Sequence, residues 1–119
     1  MGRGKSIVLW ILTVLLGLVF LMTGTMKIAM SATFVDEFAG WGYSAWFVTV
    51  IAIVELIGAV LLFIPRTAFY GALLLSIVMA GAALTHGRFG EWERVIFTLG
   101  LLTLIVWLGL QRRRQLSGA

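Results

Sequence analysis

Four long apolar runs constrain this chain more than any other feature of its sequence. Each is close to the roughly 20 residues that an α-helix needs to cross the hydrocarbon core of a bilayer. The residues are 61% hydrophobic and only 12% charged, which leaves too little polar surface for a water-soluble domain of this length. The sequence therefore predicts one all-α integral membrane domain over residues 1–119, folded as a four-helix bundle. The predicted spans are residues 6–27, 46–64, 67–86 and 95–110.

The start of the first run has a competing interpretation as a secretion signal. Arg3 and Lys5 precede the apolar residues, as basic residues precede a signal core. The run is longer than an ordinary signal core, so we expect a membrane span instead.

Residues 29–45 connect the first two spans. Thr33 and Asp36 have the spacing of a capping box, which predicts a short helix with its N-terminus at Thr33. Trp41 and Tyr43 favour the headgroup level of a membrane. We expect this helix to lie in the membrane interface.

The distribution of basic residues predicts the orientation, because short loops rich in Lys and Arg stay in the cytoplasm. The side of the termini carries Arg3, Lys5, Arg66, Arg112, Arg113 and Arg114, and the opposite side carries Lys27, Arg88 and Arg94. We expect both termini on the cytoplasmic side of a bacterial or archaeal cytoplasmic membrane. The net charge of +4 thus indicates orientation and not a nucleic-acid partner.

Glu55 interrupts the second span near its middle. A charged side chain at that depth costs about 2.5–3.5 kcal/mol on insertion scales, so it faces the protein interior and finds a partner. One interpretation is a structural ion pair or hydrogen bond. The other is a functional site, since ionisable groups inside membranes frequently mark one.

Lys27 and His86 are the candidate partners. They end the first and third spans, and side chains tilt toward the N-terminus of their helix. Both therefore lean into the outer half of the membrane, while Glu55 leans toward them from the antiparallel second helix. We predict a Lys27–Glu55 ion pair with His86 nearby. The alternatives are that Lys27 extends to the headgroups and that His86 is only a polar helix end.

No cofactor motif is recognisable. The chain has no cysteine and one histidine, which argues against thiolate and histidine metal sites. Haem ligation by His86 with a methionine is an alternative, but methionines in apolar chains usually fill gaps. We expect no intrinsic cofactor, no metal, no catalytic residue and no nucleic-acid partner, and we expect that the protein is not an enzyme.

A set of short stretches is distinctive in combination. They are Gly-Thr-Met-Lys at 24–27, an aromatic and glycine-containing connector at 38–46, Val-Glu-Leu-Ile-Gly-Ala at 54–59 and Thr-His at 85–86. Over about residues 10–110 the chain resembles the DoxX-like family of small four-helix membrane proteins. Ser44 departs from the family's frequent proline, which concerns the start of the second span. The family is loosely associated with quinone-linked oxidoreductases, redox-stress membrane complexes and receptor assembly.

Three functions compete. The first, which we favour on the small size and the resemblance, is a non-catalytic accessory or assembly subunit of a membrane complex, such as a quinone-linked redox complex. Its partners would be membrane lipids and other membrane subunits or a second copy. The second function is binding of a lipophilic ligand, a quinone or lipid, through Lys27, Glu55 and His86. The third is proton-coupled transport. Small four-helix exporters carry their glutamate in the first helix, whereas Glu55 is in the second span.

Overall fold

The described part of the chain folds into five α-helices. The computed structural model describes residues 3–117, with side chains as far as residue 114. In chain order the helices are α1 (Arg3–Ala29), α2 (Ser31–Gly40), α3 (Ala45–Phe63), α4 (Ala68–Arg88) and α5 (Trp92–Ser117). By length and composition α1, α3, α4 and α5 are each able to cross a membrane.

The limits of the long helices lie within three residues of the predicted spans, except at the end of α5. Pro65 lacks the N–H that a helix interior requires, and α3 ends just before it at Phe63. By contrast, α5 continues past the predicted limit of residue 110 to Ser117. Arginine is a good helix former, and Gln111 and Arg112 are buried. The apolar run therefore ends before the helix does.

The predicted capping box was wrong. The connecting helix α2 begins at Ser31, so Thr33 lies inside it. Met30 occupies the N-cap without a side-chain hydrogen bond. The backbone supplies the connection instead, because the Met30 amide donates to the Met26 carbonyl at 2.7 Å and the Met30 carbonyl accepts from Thr33 at 3.1 Å.

The long helices pack in the order α1, α3, α4, α5. Glycine allows a close approach of α3 and α4, where a Cβ added to Gly71 would lie 2.6 Å from the carbonyl oxygen of Gly58. Small residues at membrane helix interfaces allow backbones to approach in this way. The interface between α1 and α5 is much smaller than the other three.

The apolar core fills one half of the molecule. It joins the first half of α1 to the second halves of α3 and α5 and to the start of α4. Its buried members include Leu9, Leu16, Leu62, Leu75 and Ile105. The opposite half, which contains α2, is less densely filled and holds the candidate site.

Candidate functional site

Glu55 is the innermost charged residue of the site. It lies on α3, and only 2% of its surface is exposed. Lys27 Nζ lies 2.9 Å from Glu55 Oε1, and the Thr23 hydroxyl donates to Glu55 Oε2 at 2.5 Å. Thr23 and Lys27 are four residues apart on α1, so both face α3. The two carboxylate oxygens of Glu55 therefore each have a partner on α1.

Lys27 also connects the site to α2. Its ammonium lies 5.3 Å from the centroid of the Phe34 ring, a cation–π distance. An ammonium has three N–H donors. The contact with Glu55 uses one of them, which leaves two for another acceptor.

The structure places His86 against Glu91, in the turn after α4. His86 Nδ1 lies 2.7 Å from Glu91 Oε1. Because an ionised carboxylate only accepts, Nδ1 carries the proton, and Nε2 of a neutral ring keeps a lone pair. The Trp41 ring meets the imidazole edge-on, with 5.2 Å between the centroids. Gly90 allows the chain to turn back here with a φ of +73°.

The pKa of Glu91 is held below its ordinary value of 4.5. The hydrogen bond with His86 is the largest cause. Partial burial opposes it, while a hydrogen bond from Trp41 and the charge of Arg94 lower the pKa further. The carboxylate of Glu91 is therefore ionised throughout the neutral range.

Two further polar contacts surround the same space. Arg94 on α5 donates to Glu37 on α2 at 2.6 Å. Tyr43 and Thr85 approach to 2.7 Å. The Thr85 hydroxyl hydrogen is already donated to the Gly81 carbonyl at 2.9 Å. Tyr43 is therefore the donor to Thr85, and its own oxygen remains an acceptor.

These groups border a cavity of about 870 Å³. Residues of all five helices line it, and most of them are apolar or aromatic. Lys27, Glu55 and His86 all lie in its wall. A largely apolar cavity with a few polar groups is the usual form of a small-molecule site, and this volume is in the range of such sites.

The basic side chains of the cavity wall are bonded to carboxylates. The pairs are Lys27–Glu55, Arg94–Glu37 and His86–Glu91. Within the described part of the chain, no three His, Cys, Asp or Glu side chains come together as a metal ion would need. The arrangement suits hydrogen bonding to an uncharged polar group beside a large apolar body.

Sequence reasoning missed several residues of the site. Sequence patterns assign Trp41 and Tyr43 only to the membrane interface and Arg94 only to the orientation. They assign no site role to Glu37, Thr85 or Glu91. Glu91 follows His86 by five residues across two glycines. That spacing is a usable signal for a turn that returns to its own helix end.

A sequence model of the DoxX-like family matches residues 11–108. No curated protein and no solved structure matches the chain.

Proposed function

This chain belongs to the DoxX-like family, and on that premise we propose that it is a four-helix membrane bundle that binds a neutral lipophilic molecule. The cavity beside the Lys27–Glu55 pair carries the proposal. Its apolar walls suit a hydrocarbon body, while polar side chains form a minority of its lining. A quinone or a lipid with an uncharged head has this chemistry.

The pairing of charges determines which head group fits. An anionic head would have to compete with Glu55 for Lys27, and a cationic head would have to compete with Lys27 for Glu55. Burying an additional charge without a partner is costly. A carbonyl or ether oxygen can instead accept from the remaining N–H groups of Lys27 without disturbing the pair.

The orientation belongs to the same proposal. Six basic residues lie at the termini and the α3–α4 turn, against three at the other end of the helices: Arg3, Lys5, Arg66, Arg112, Arg113 and Arg114 against Lys27, Arg88 and Arg94. By the positive-inside rule the termini are cytoplasmic. The cavity and α2 then lie toward the outer face of a bacterial or archaeal cytoplasmic membrane.

Native mass spectrometry of the protein, extracted gently from its own membrane, tests the binding proposal. We expect a bound neutral lipophile on the wild type and its loss in Gly81→Phe. Gly81 lines the cavity, and open space surrounds its Cβ position. Gly100→Phe is the matched control, since Gly100 has equal space outside the cavity wall. Equal retention in both variants, or no bound mass on the wild type, would reject the proposal.

The accessory role in a membrane complex is a separate proposal that the same extraction tests. Co-migration with larger subunits would support it, and a monomer or homo-oligomer alone would count against it. Proton-coupled transport ranks third. It requires a pH-dependent flux that Glu55→Gln abolishes.

A further inference from the structure

The cavity is covered at the end near α2. Contacts from α2 and the following residues reach α1, α4 and α5, so this segment lies across that end of the helices. The contacts are Phe34 with Lys27, Glu37 with Arg94, Trp41 with His86 and Tyr43 with Thr85. The opposite end of the cavity meets the filled apolar core around Phe20. An opening to the outside must therefore lie on a side of the helix arrangement.

The smallest interface between neighbouring long helices, that of α1 with α5, marks one such side. Arg112 joins α5 to α1 at the end far from α2, where it donates to Thr13 at 3.5 Å and lies 4.8 Å from the Trp10 ring centroid. Nearer α2, the cavity wall includes Met22 and Phe97, which are 56% and 67% exposed. Side chains that face both the cavity and the exterior border an opening.

Helix periodicity turns both side chains away from the closely packed α1–α3 and α4–α5 interfaces. Met22 lies about half a turn around α1 from Gly24, which contacts Leu56 of α3. Phe97 lies about a third of a turn around α5 from Gly109, which contacts Ala72 of α4. Each side chain therefore points away from the well-packed neighbour of its own helix.

We infer that the cavity takes up its occupant sideways from the bilayer, through the gap between α1 and α5 that Met22 and Phe97 border. This inference depends on the proposed binding function. It narrows the ligand class to neutral lipophiles that dissolve in the membrane. Such a molecule reaches the cavity without crossing water. It passes between Met22 and Phe97, and its polar head then contacts Lys27.

The α3–α4 side is the competing route. Ile77 is 63% exposed and also lines the cavity. On that side, however, the close approach of Gly58 and Gly71 joins α3 to α4 near the core. The Tyr43–Thr85 hydrogen bond joins the segment before α3 to the end of α4. The experiment must therefore compare the two sides directly.

Site-specific blocking is straightforward because the chain has no cysteine. Phe97→Cys and Ile77→Cys each place one thiol at an exposed residue of the cavity wall. The full-length variants are reconstituted in phosphatidylcholine vesicles and modified with pyrene maleimide. The probe is a medium-chain ketone that carries a diazirine. Irradiation at increasing times after mixing, followed by peptide mass spectrometry, gives the rate at which the cavity is labelled.

We expect modified Phe97→Cys to be labelled at least about tenfold more slowly than the unmodified variant. The final extent of labelling should be unchanged, and modified Ile77→Cys should be labelled at the normal rate. Modified Met22→Cys, on the facing helix, should reproduce the slowing.

Normal rates in modified Phe97→Cys and Met22→Cys, or slowing confined to Ile77→Cys, would overturn the α1–α5 route while leaving the binding proposal intact. The absence of cavity labelling in the unmodified protein at any time would overturn both. Melting temperatures of the modified proteins show whether a slower rate reflects blocking or loss of fold.

Discussion

Lys27 and Glu55 form a largely buried ion pair, with 2.9 Å between Nζ and Oε1. Removing one partner of a buried pair leaves an uncompensated charge and typically costs about 3–5 kcal/mol. We therefore expect Lys27→Met to lower the free energy of unfolding by about this amount. Thermal or denaturant unfolding in detergent measures the change.

The double variant Lys27→Met with Glu55→Gln is the control. It removes both charges, while the Gln oxygen can still accept from Thr23. Replacing a whole buried pair is often neutral in stability. We expect the double variant to unfold close to the wild type and to lose the bound lipophile. If the double variant were as unstable as Lys27→Met, the loss of stability would not come from leaving the charge of Glu55 unpaired.

The pH dependence of Glu91 follows from its lowered pKa. Because the pKa in the folded protein is below the ordinary 4.5, the ionised carboxylate stabilises the folded state. This stabilisation is complete above 4.5 and is lost as the pH falls through the folded pKa. In a carbon-13 NMR titration of labelled Glu91, we expect His86→Leu to raise the pKa toward 4.5.

Arg94→Gln provides the comparison for this titration. The charge of Arg94 is a smaller cause of the lowered pKa than the hydrogen bond with His86. The distance from Arg94 Nη1 to Glu91 Oε1 is 3.9 Å, which is long for an ion pair. The pKa of Glu91 should rise less in Arg94→Gln than in His86→Leu. The reverse order would show that long-range charge and not the hydrogen bond controls this carboxylate.

The contact between Lys27 and Glu55 could be predicted from the sequence because both lie within long helices whose directions alternate. Helix direction fixes where a side chain leans. The partnership of His86 with Glu91 could not be predicted in the same way. The five-residue spacing indicates a turn after α4, but it does not determine which side chains the turn at Gly90 brings into contact.

At the scale of helices, the crossing of α3 and α4 depends on the absence of side chains. A Cβ on Gly71 would lie 2.6 Å from a backbone oxygen and 2.9 Å from the backbone nitrogen of Leu62. Backbone atoms cannot rotate away as a side chain can. We expect Gly71→Ala to destabilise the protein by about 1–3 kcal/mol, the usual cost of overpacking, as measured by thermal unfolding.

Gly100→Ala is the matched control because open space surrounds the Cβ position of Gly100. Alanine is the better helix former by about 1 kcal/mol in a helix interior. This variant should be as stable as the wild type or more so. If Gly71→Ala behaved like Gly100→Ala, the helices would have to separate at the crossing without cost.

The type of each helix was easier to predict than its limits. Long apolar runs identify four helices because their length and composition are extreme. The start of α2 was missed because Met30 provides only backbone groups, whereas the capping pattern is defined by side chains. The end of α5 was missed because hydropathy measures transfer to lipid, and helical structure continues through charged residues.

At the scale of the whole molecule, the cavity could not be predicted. Apolar composition shows that an interior exists but not how well it is filled. Both halves of the helices are rich in small residues. In one half they bring backbones together, as at Gly58 and Gly71, while around Gly81 they leave space. The difference depends on how the helices diverge, which only the tertiary arrangement shows.

The side of the membrane on which the termini lie can be tested by labelling. Basic residues favour cytoplasmic termini by six to three, with Arg3, Lys5, Arg66, Arg112, Arg113 and Arg114 against Lys27, Arg88 and Arg94. In the cysteine-free chain, Ser44→Cys places a thiol beside α2 at an N-cap that makes no side-chain hydrogen bond. Gly4→Cys places one near the N-terminus, in open space.

We expect a membrane-impermeant maleimide to label Ser44→Cys in intact cells and to label Gly4→Cys only after lysis. Basic residues resist translocation, so the end that carries more of them stays inside. The opposite pattern would place the cavity toward the cytoplasm. Labelling of both variants in intact cells would indicate insertion in two orientations, and the charge difference would then be too small to determine the topology.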